Sequence, residues 1–269
     1  AARQRIEQEM MLAREIQASM LPTTIPELEE YALIGGSKAA YEVGGDYFDY
    51  LPSDDNGCFF LIADVSGKGV PAAMIMSIVR SLFHTYLEFE EDPGTILTRL
   101  NRSLSKDIET ETFVTMTAIK LEADDHRIRI ARAGHEPVMI LKANGKIEHH
   151  SPPGPAVGLL DIESFEQIVT EETYDLEPDD TVILYTDGIT EALNPEQEEF
   201  GLERLEEVVK SNRHLSVKGL YKEIIDQTIV FRNGMSQSDD CTLIIFRRHG
   251  KNAAREKTMK IQPVKAEVS

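Results

Sequence analysis

The chain has 269 residues, enough for one large domain with appendages, and its 41% apolar content is ordinary for a globular protein. Lys and Arg total 28 against 47 Asp and Glu, so the net charge of −19 repels nucleic acid and anionic membrane and argues against a two-metal nuclease or phosphodiesterase. No run approaches the roughly 18 apolar residues of a membrane span, and direct membrane insertion is not expected.

Taken in order, the chain opens at Ala1-Ala2-Arg3 with neither an initiator Met nor a signal pattern, and it reads as a fragment of something longer. Residues 3–21 are rich in helix formers. Ile6, Met10, Ala13, Ile16 and Met20 make one apolar stripe, which Pro22 ends. Residues 1–22 read either as a helix packed on its own domain or as a linker that dimerises and carries the state of an upstream sensor module.

A strand is expected over 31–40 and a buried one over Cys58-Phe59-Phe60-Leu61-Ile62-Ala63. Pro71 is a good first-turn residue for a helix carrying Ala72, Met76, Val79 and Phe83, and a second helix fits 93–106. Short β-rich runs follow over 113–119, 127–131 and 138–141, with a hairpin turn at Asn144-Gly145. After a Pro/Gly loop at 151–155, strands are expected over 165–170 and 181–185, helices over 202–210 and 217–231, and a strand over 241–247. Residues 250–269 lack periodicity and read as a disordered tail. Residues 23–249 then form one domain. Cys58 and Cys241 fall inside predicted strands as small buried hydrophobes, which fits a reducing, cytoplasmic setting.

Asp46, Asp64, Asp187 and Asp239 or Asp240 each stand where a predicted strand meets a Gly-rich or polar loop. A sheet can gather such ends. Hard cations such as Mg²⁺ and Mn²⁺ prefer carboxylate and carbonyl oxygens, and a bridging carboxylate can hold two of them about 3.5–4 Å apart. The bland alternative is that the acids are turn formers, since Asp-Gly is a common turn pair. Four acids at strand ends, without His and Cys clusters or a phosphate-binding loop, favour the metal site.

These segments also resemble a known family. Gly44-Gly45-Asp46-Tyr47-Phe48-Asp49, Asp64-Val65-Ser66-Gly67-Lys68-Gly69, Ala133-Gly134-His135-Glu136-Pro137, Tyr185-Thr186-Asp187-Gly188 and Asp239-Asp240-Cys241-Thr242 are similar, in order, to signatures of the metal-dependent serine/threonine phosphatases. The closest branch is the bacterial sporulation-protein-E-like one that regulates sigma factors. Residues 12–22 resemble the linker helix preceding its catalytic domain.

The resemblance implies an α+β fold, a four-layer α/β/β/α sandwich of two antiparallel sheets. It implies two Mn²⁺ or Mg²⁺ ions, with Asp46 and the Val65 carbonyl on the first, Asp64 bridging, and Asp187 with Asp239 on the second. Asp240 is the competing choice for the last ligand. The implied reaction is hydrolysis of phosphoserine or phosphothreonine on a protein, in a partner-switching pathway whose substrate is a phosphorylated anti-anti-sigma (STAS-domain) protein.

Two departures from the eukaryotic members stand out. Ser66 replaces a proposed proton-donating His, and no Arg lies just upstream of Asp46, the nearest base being Lys38. They motivate a second reading, a catalytically silent metal- or partner-binding module. His135 reads mainly as a turn residue, Lys68 equally as a phosphate contact or a solvated side chain, and Thr115 and Thr117 as ordinary strand residues.

Overall fold

The computed structural model describes residues 2–53, 56–89, 92–107 and 112–250. In chain order the first elements are α1 (Ala2–Met20), β1 (Tyr31–Lys38), β2 (Tyr47–Pro52), β3 (Cys58–Val65), α2 (Val70–Leu87), α3 (Pro93–Asp107), β4 (Val114–Glu122) and β5 (Arg127–Ala133). Then come β6 (Val138–Leu141), β7 (Ile147–His150), α4 (Ile162–Ile168), β8 (Glu171–Asp175), β9 (Thr181–Tyr185), α5 (Asp187–Thr190), α6 (Gly201–Ser211), α7 (Val217–Arg232) and β10 (Cys241–Arg248). The strands form two antiparallel five-stranded sheets, ordered β1-β10-β9-β6-β7 and β2-β3-β4-β5-β8.

Three apolar layers hold the four-layer sandwich together, and strand alternation deals residues between them. On β3, Cys58, Phe60 and Ile62 face the other sheet, while Phe59, Leu61, Ala63 and Val65 lie under α2 and α3. Both faces are buried, which is why this strand reads as an unbroken apolar run. Between the sheets Phe60 stacks on Phe246, with ring centroids 4.4 Å apart. α2 buries Ala72, Met76, Val79 and Phe83, and α3 buries Ile96, Leu97, Leu100 and Leu104, one face each at helical spacing. On the opposite side α6 and α7 cover Ile183, Leu243 and Ile245 with Leu205, Val209, Leu220 and Ile224. Each fully buried Leu or Phe contributes about 1.5–3 kcal/mol of transfer free energy, so these layers rather than surface charges hold the fold.

The strand expected over 165–170 is instead α4. Asp161 caps it by accepting from Ser164 N (3.0 Å) and Ser164 Oγ (2.8 Å), and Phe165 is buried beneath. The cap and the single buried aromatic outweigh the β preference of Ile168-Val169-Thr170. The strand itself, β8, follows as Glu-Glu-Thr-Tyr-Asp, a charged edge strand with no apolar alternation to reveal it. Among the described helices α2 is long and apolar enough to cross a membrane, a feature the sequence reading did not register; its inner face is packed on the sheet. α1 buries none of its residues and exposes Ile6, Met11, Leu12 and Ile16. The tail at 251–269 lies outside the described residues.

Candidate metal centre

At one end of the sandwich the inter-sheet layer changes from apolar to acidic. On β2, Phe48 and Tyr50 face the other sheet, and continuing that alternation back one step brings Asp46 onto the same side. On β3 the series Cys58, Phe60, Ile62 continues to Asp64. From the opposite sheet, Val182 and Leu184 lead to Thr186, and Phe246 and Ile244 lead back to Thr242. Four strand ends therefore point two acids and two hydroxyls into one space.

Asp46 is buried, and its Oδ2 accepts from Thr186 Oγ1 at 2.8 Å and Thr242 Oγ1 at 2.5 Å. Thr242 Oγ1 lies 2.8 Å from Ser37 Oγ, and Thr186 Oγ1 accepts from Thr242 N at 3.0 Å. These hydroxyls, which sequence reasoning missed, clamp the carboxylate. Burial pushes the Asp46 carboxyl well above its ordinary range, with Asp64 and Asp240 adding like charge. Asp64 lies close enough to Asp46 to add like charge to it, and its own carboxyl is pushed up to about 7 by burial, then by Asp187, Asp239 and Asp240. Asp187 is raised by burial and by Asp239.

Asp239 and Asp240 are adjacent but do different things. Asp240 is 6% exposed, and its carboxylate is taken up by the backbone of the first motif. Oδ1 accepts from Ala40 N at 2.8 Å, and Oδ2 accepts from Gly45 N at 2.8 Å and Asp46 N at 3.3 Å. Asp239 is more open, with its side chain 38% exposed, and its Oδ2 is 2.7 Å from Lys68 Nζ.

The glycines of the motifs have a steric reason. A Cβ at Gly44 would stand 2.0 Å from Asp240 Oδ2, and one at Gly188 would stand 1.9 Å from the Asp240 carbonyl oxygen. A Cβ at Gly45 would fall 2.9 Å from the Val65 carbonyl oxygen. Each Gly lets one loop approach another loop's oxygen.

The other residues singled out from sequence separate clearly. His135 is buried, pairs through Nδ1 with Thr115 Oγ1 at 2.9 Å, and is lowered to about 3 by burial, so it is a neutral internal residue. Its neighbour Glu136 is raised by burial and by Asp187 and Glu191, which puts two further acids beside the cluster. Ser66 Oγ accepts from Phe113 N and Ser66 N donates to Phe113 O, both at 2.9 Å, closing the β3–β4 end. Lys68 is neither solvated alone nor turned outward; it bridges Asp239 and the Ser238 carbonyl oxygen at 2.7 Å each. Asp49 stands apart from the acids, accepting from Tyr47 Oη at 2.5 Å and meeting His84 Nε2 of α2 at 2.7 Å.

The Gln17 side chain of α1 pairs with both backbone groups of Gly44: Nε2 donates to the carbonyl at 2.7 Å and Oε1 accepts from the N–H at 3.0 Å. A lone Gln on a helix gave no signal of this.

The donor set is a mutually repelling group of carboxylates, from buried Asp46 to half-open Asp239, with the Val65 carbonyl alongside Gly45, all hard oxygen, and it suits Mg²⁺ or Mn²⁺. Among the described residues, no three His, Cys, Asp or Glu side chains converge closely enough to hold an ion as they stand. Asp240 is turned to backbone N–H groups and Asp239 to Lys68.

Comparison with known proteins decides the family. The sequence profile described as Stage II sporulation protein E (SpoIIE) matches residues 54–249. The chain belongs to the SpoIIE family. Protein IcfG of Synechocystis sp. is 30% identical over 270 residues, covering 90% of this chain and 42% of IcfG. The phosphoserine phosphatase RsbU of Bacillus subtilis is 29% identical over 251 residues, covering 91% of this chain and 71% of RsbU. The chain thus spans less than half of one relative's length and most of the other's.

Among solved structures, the SiaA-PP2C domain of Pseudomonas aeruginosa superposes with a TM-score of 0.79 at 21% identity, over 92% of this chain and 98% of that domain. The RsbU and RsbW domains of Rv1364c from Mycobacterium tuberculosis give 0.72 at 21% identity, over 86% of this chain and 63% of that one. RsbX in complex with magnesium gives 0.63 at 19% identity, over 83% of this chain and 98% of that one. The SpoIIE-family chain therefore has the fold of the type 2C phosphatase domains.

Proposed function

We propose that this SpoIIE-family chain is a metal-dependent phosphoprotein phosphatase that hydrolyses phosphoserine or phosphothreonine with two Mn²⁺ or Mg²⁺ ions. The observation that carries the reading is the buried Asp46 carboxyl with Asp64 beside it and Asp187 and Asp239 acting on Asp64, since like charges gathered there need a cation or a proton. Asp46 and the Val65 carbonyl would hold the first ion, Asp64 would bridge, and Asp187 with Asp239 would hold the second. Asp239 is favoured over Asp240 by its exposure, because Asp240 is committed to Ala40 and Gly45. When bound, such ions supply positive charge for the phosphoryl oxygens and lower the pKa of water.

The chain's own groups supply the positioning. Thr186 and Thr242 both grip Asp46 Oδ2, so that carboxylate cannot rotate, and Asp240 ties the Gly44-Gly45 backbone to the start of β10. A substrate on a phosphorylated anti-anti-sigma (STAS-domain) protein is supported by RsbU, a phosphoserine phosphatase, and by the M. tuberculosis relative that carries RsbU and RsbW domains. Two buried free cysteines fit a cytoplasmic setting.

The same reading gives residues 1–22 a regulatory role. The exposed apolar residues of α1 suit a homodimer, and Gln17 ties α1 to Gly44, two residues from Asp46. An upstream sensor that moves α1 would then pull on the metal loop.

The test is phosphate release from a phosphorylated STAS-domain protein with Mn²⁺. Asp46→Asn and Asp187→Asn are each expected to lower the rate at least about 100-fold, as loss of an ion or of transition-state charge stabilisation does. Wild-type rates from either variant would sink the proposal. Gln17→Ala is expected to weaken activity without unfolding, read by rate and melting temperature together. The second reading, a silent docking module, draws on Ser66, whose hydroxyl closes the β3–β4 end. Substrate binding without turnover at every metal concentration would favour it.

A further inference from the structure

The loop after β3 delivers a cation into the acid cluster. Gly67 (φ 96°) and Gly69 (φ 72°) take left-handed backbone on either side of Lys68, and neither has any atom near where a Cβ would lie. The loop's base is fixed by the two Ser66–Phe113 hydrogen bonds. Lys68 therefore reaches out from an anchored turn, and its Nζ meets Asp239 Oδ2 and the Ser238 carbonyl oxygen, both at 2.7 Å, across 170 positions of sequence. Its charge also reaches Asp187 and Glu191. The side chain is 48% exposed, so the contact is one that water and ions can contest.

We propose that Lys68 is a tethered counter-cation that competes with a divalent ion for the Asp239 carboxylate. Loading the Asp187–Asp239 side of the centre requires the ammonium to leave, and this side is the weaker of the two. The proposal rests on Asp239 being a metal ligand, as argued above. The chemistry is simple competition. An ammonium and a divalent ion cannot occupy the same carboxylate oxygen, and the ion feels the repulsion of the nearby lysine charge. Among the described residues, the charged groups that act most strongly on Asp46 and Asp64 are other acids.

The experiment is Mn²⁺ titration by calorimetry, with paramagnetic resonance of bound Mn²⁺, on wild type, Lys68→Met and Lys68→Arg, with melting curves to confirm folding. Lys68→Met keeps the stem and removes the charge, and it is expected to tighten the weaker Mn²⁺ site about 2- to 5-fold, the range of a half-exposed ion pair. Lys68→Arg keeps the ion pair and is expected to show no tightening. In an Asp239→Asn background the Lys68→Met effect is expected to vanish. Unchanged or weaker Mn²⁺ binding by Lys68→Met, with wild type binding two ions, would overturn the Lys68 proposal alone. A wild type that binds no Mn²⁺ would instead take down the metal-centre reading and this proposal with it.

Discussion

The two ends of β9 hold two aspartates in opposite circumstances. Asp180, just before the strand, is fully buried, and its Oδ2 takes Lys142 Nζ at 2.7 Å, Glu177 N at 3.0 Å and Tyr174 Oη at 3.3 Å. Asp187, just after it, is surrounded by Asp64, Asp239, Glu136 and Glu191, and its carboxyl is pushed up. The first charge is closed on a partner and joins the residue after β6 of one sheet to β8 of the other through Lys142 and Tyr174. The second end gathers carboxylates in excess of the Lys68 charge that reaches them, an arrangement that costs stability and persists where it serves a ligand. An acid at a strand end is thus architecture or chemistry according to the balance of charge around it.

The largest stability effect expected is at the closed end. Lys142→Met strands Asp180 as a buried charge without its cation, and should cost about 2–4 kcal/mol in chemical denaturation while leaving Mn²⁺ affinity unchanged. A change in metal binding would break the separation of the two ends. Gly188→Ala comes next, because its Cβ would collide with the Asp240 backbone at 1.9 Å. It should cost about 1–3 kcal/mol and, unlike Lys142→Met, also weaken metal binding.

The smallest effect is a pH dependence. Asp64 holds its proton to about 7 in the folded state against 3.8 ordinarily, so in metal-stripped protein the stability it lends is full below about pH 4 and lost as pH rises through 7. Melting curves should therefore find Asp64→Asn equal to wild type near pH 4 and more stable, by a few degrees, near pH 8. Equal stability at both would mean that the acids do not repel one another as their burial implies.

Much of the fold was legible because its signals are local. The apolar run of β3, the one-faced patterns of α2, α3, α6 and α7, and the turn at Asn144-Gly145 each depend on a few consecutive residues, and the sheets follow from their alternation. α4 and β8 were not legible. One turns on a side-chain cap at Asp161, and the other is an edge strand whose charged residues carry no period. At the site, the acids at the strand ends could be picked out from their loops. Thr186 and Thr242 could have been found by continuing the inward alternation of β9 and β10 one step, while Gln17 offered nothing beyond its place on a helix.

By itself the sequence determined that Asp46, Asp64, Asp187 and Asp239 or Asp240 stand where strands meet loops, as candidates for a hard cation, because composition and period-two alternation are properties of the chain. Only the tertiary structure decided between Asp239 and Asp240 as the more open carboxylate, gave Ser66 its place at the β3–β4 end, and set Lys68 on Asp239. Those are contacts between segments as much as 200 residues apart. Their partners are chosen by how two sheets pack, and nothing in the neighbouring residues encodes that choice.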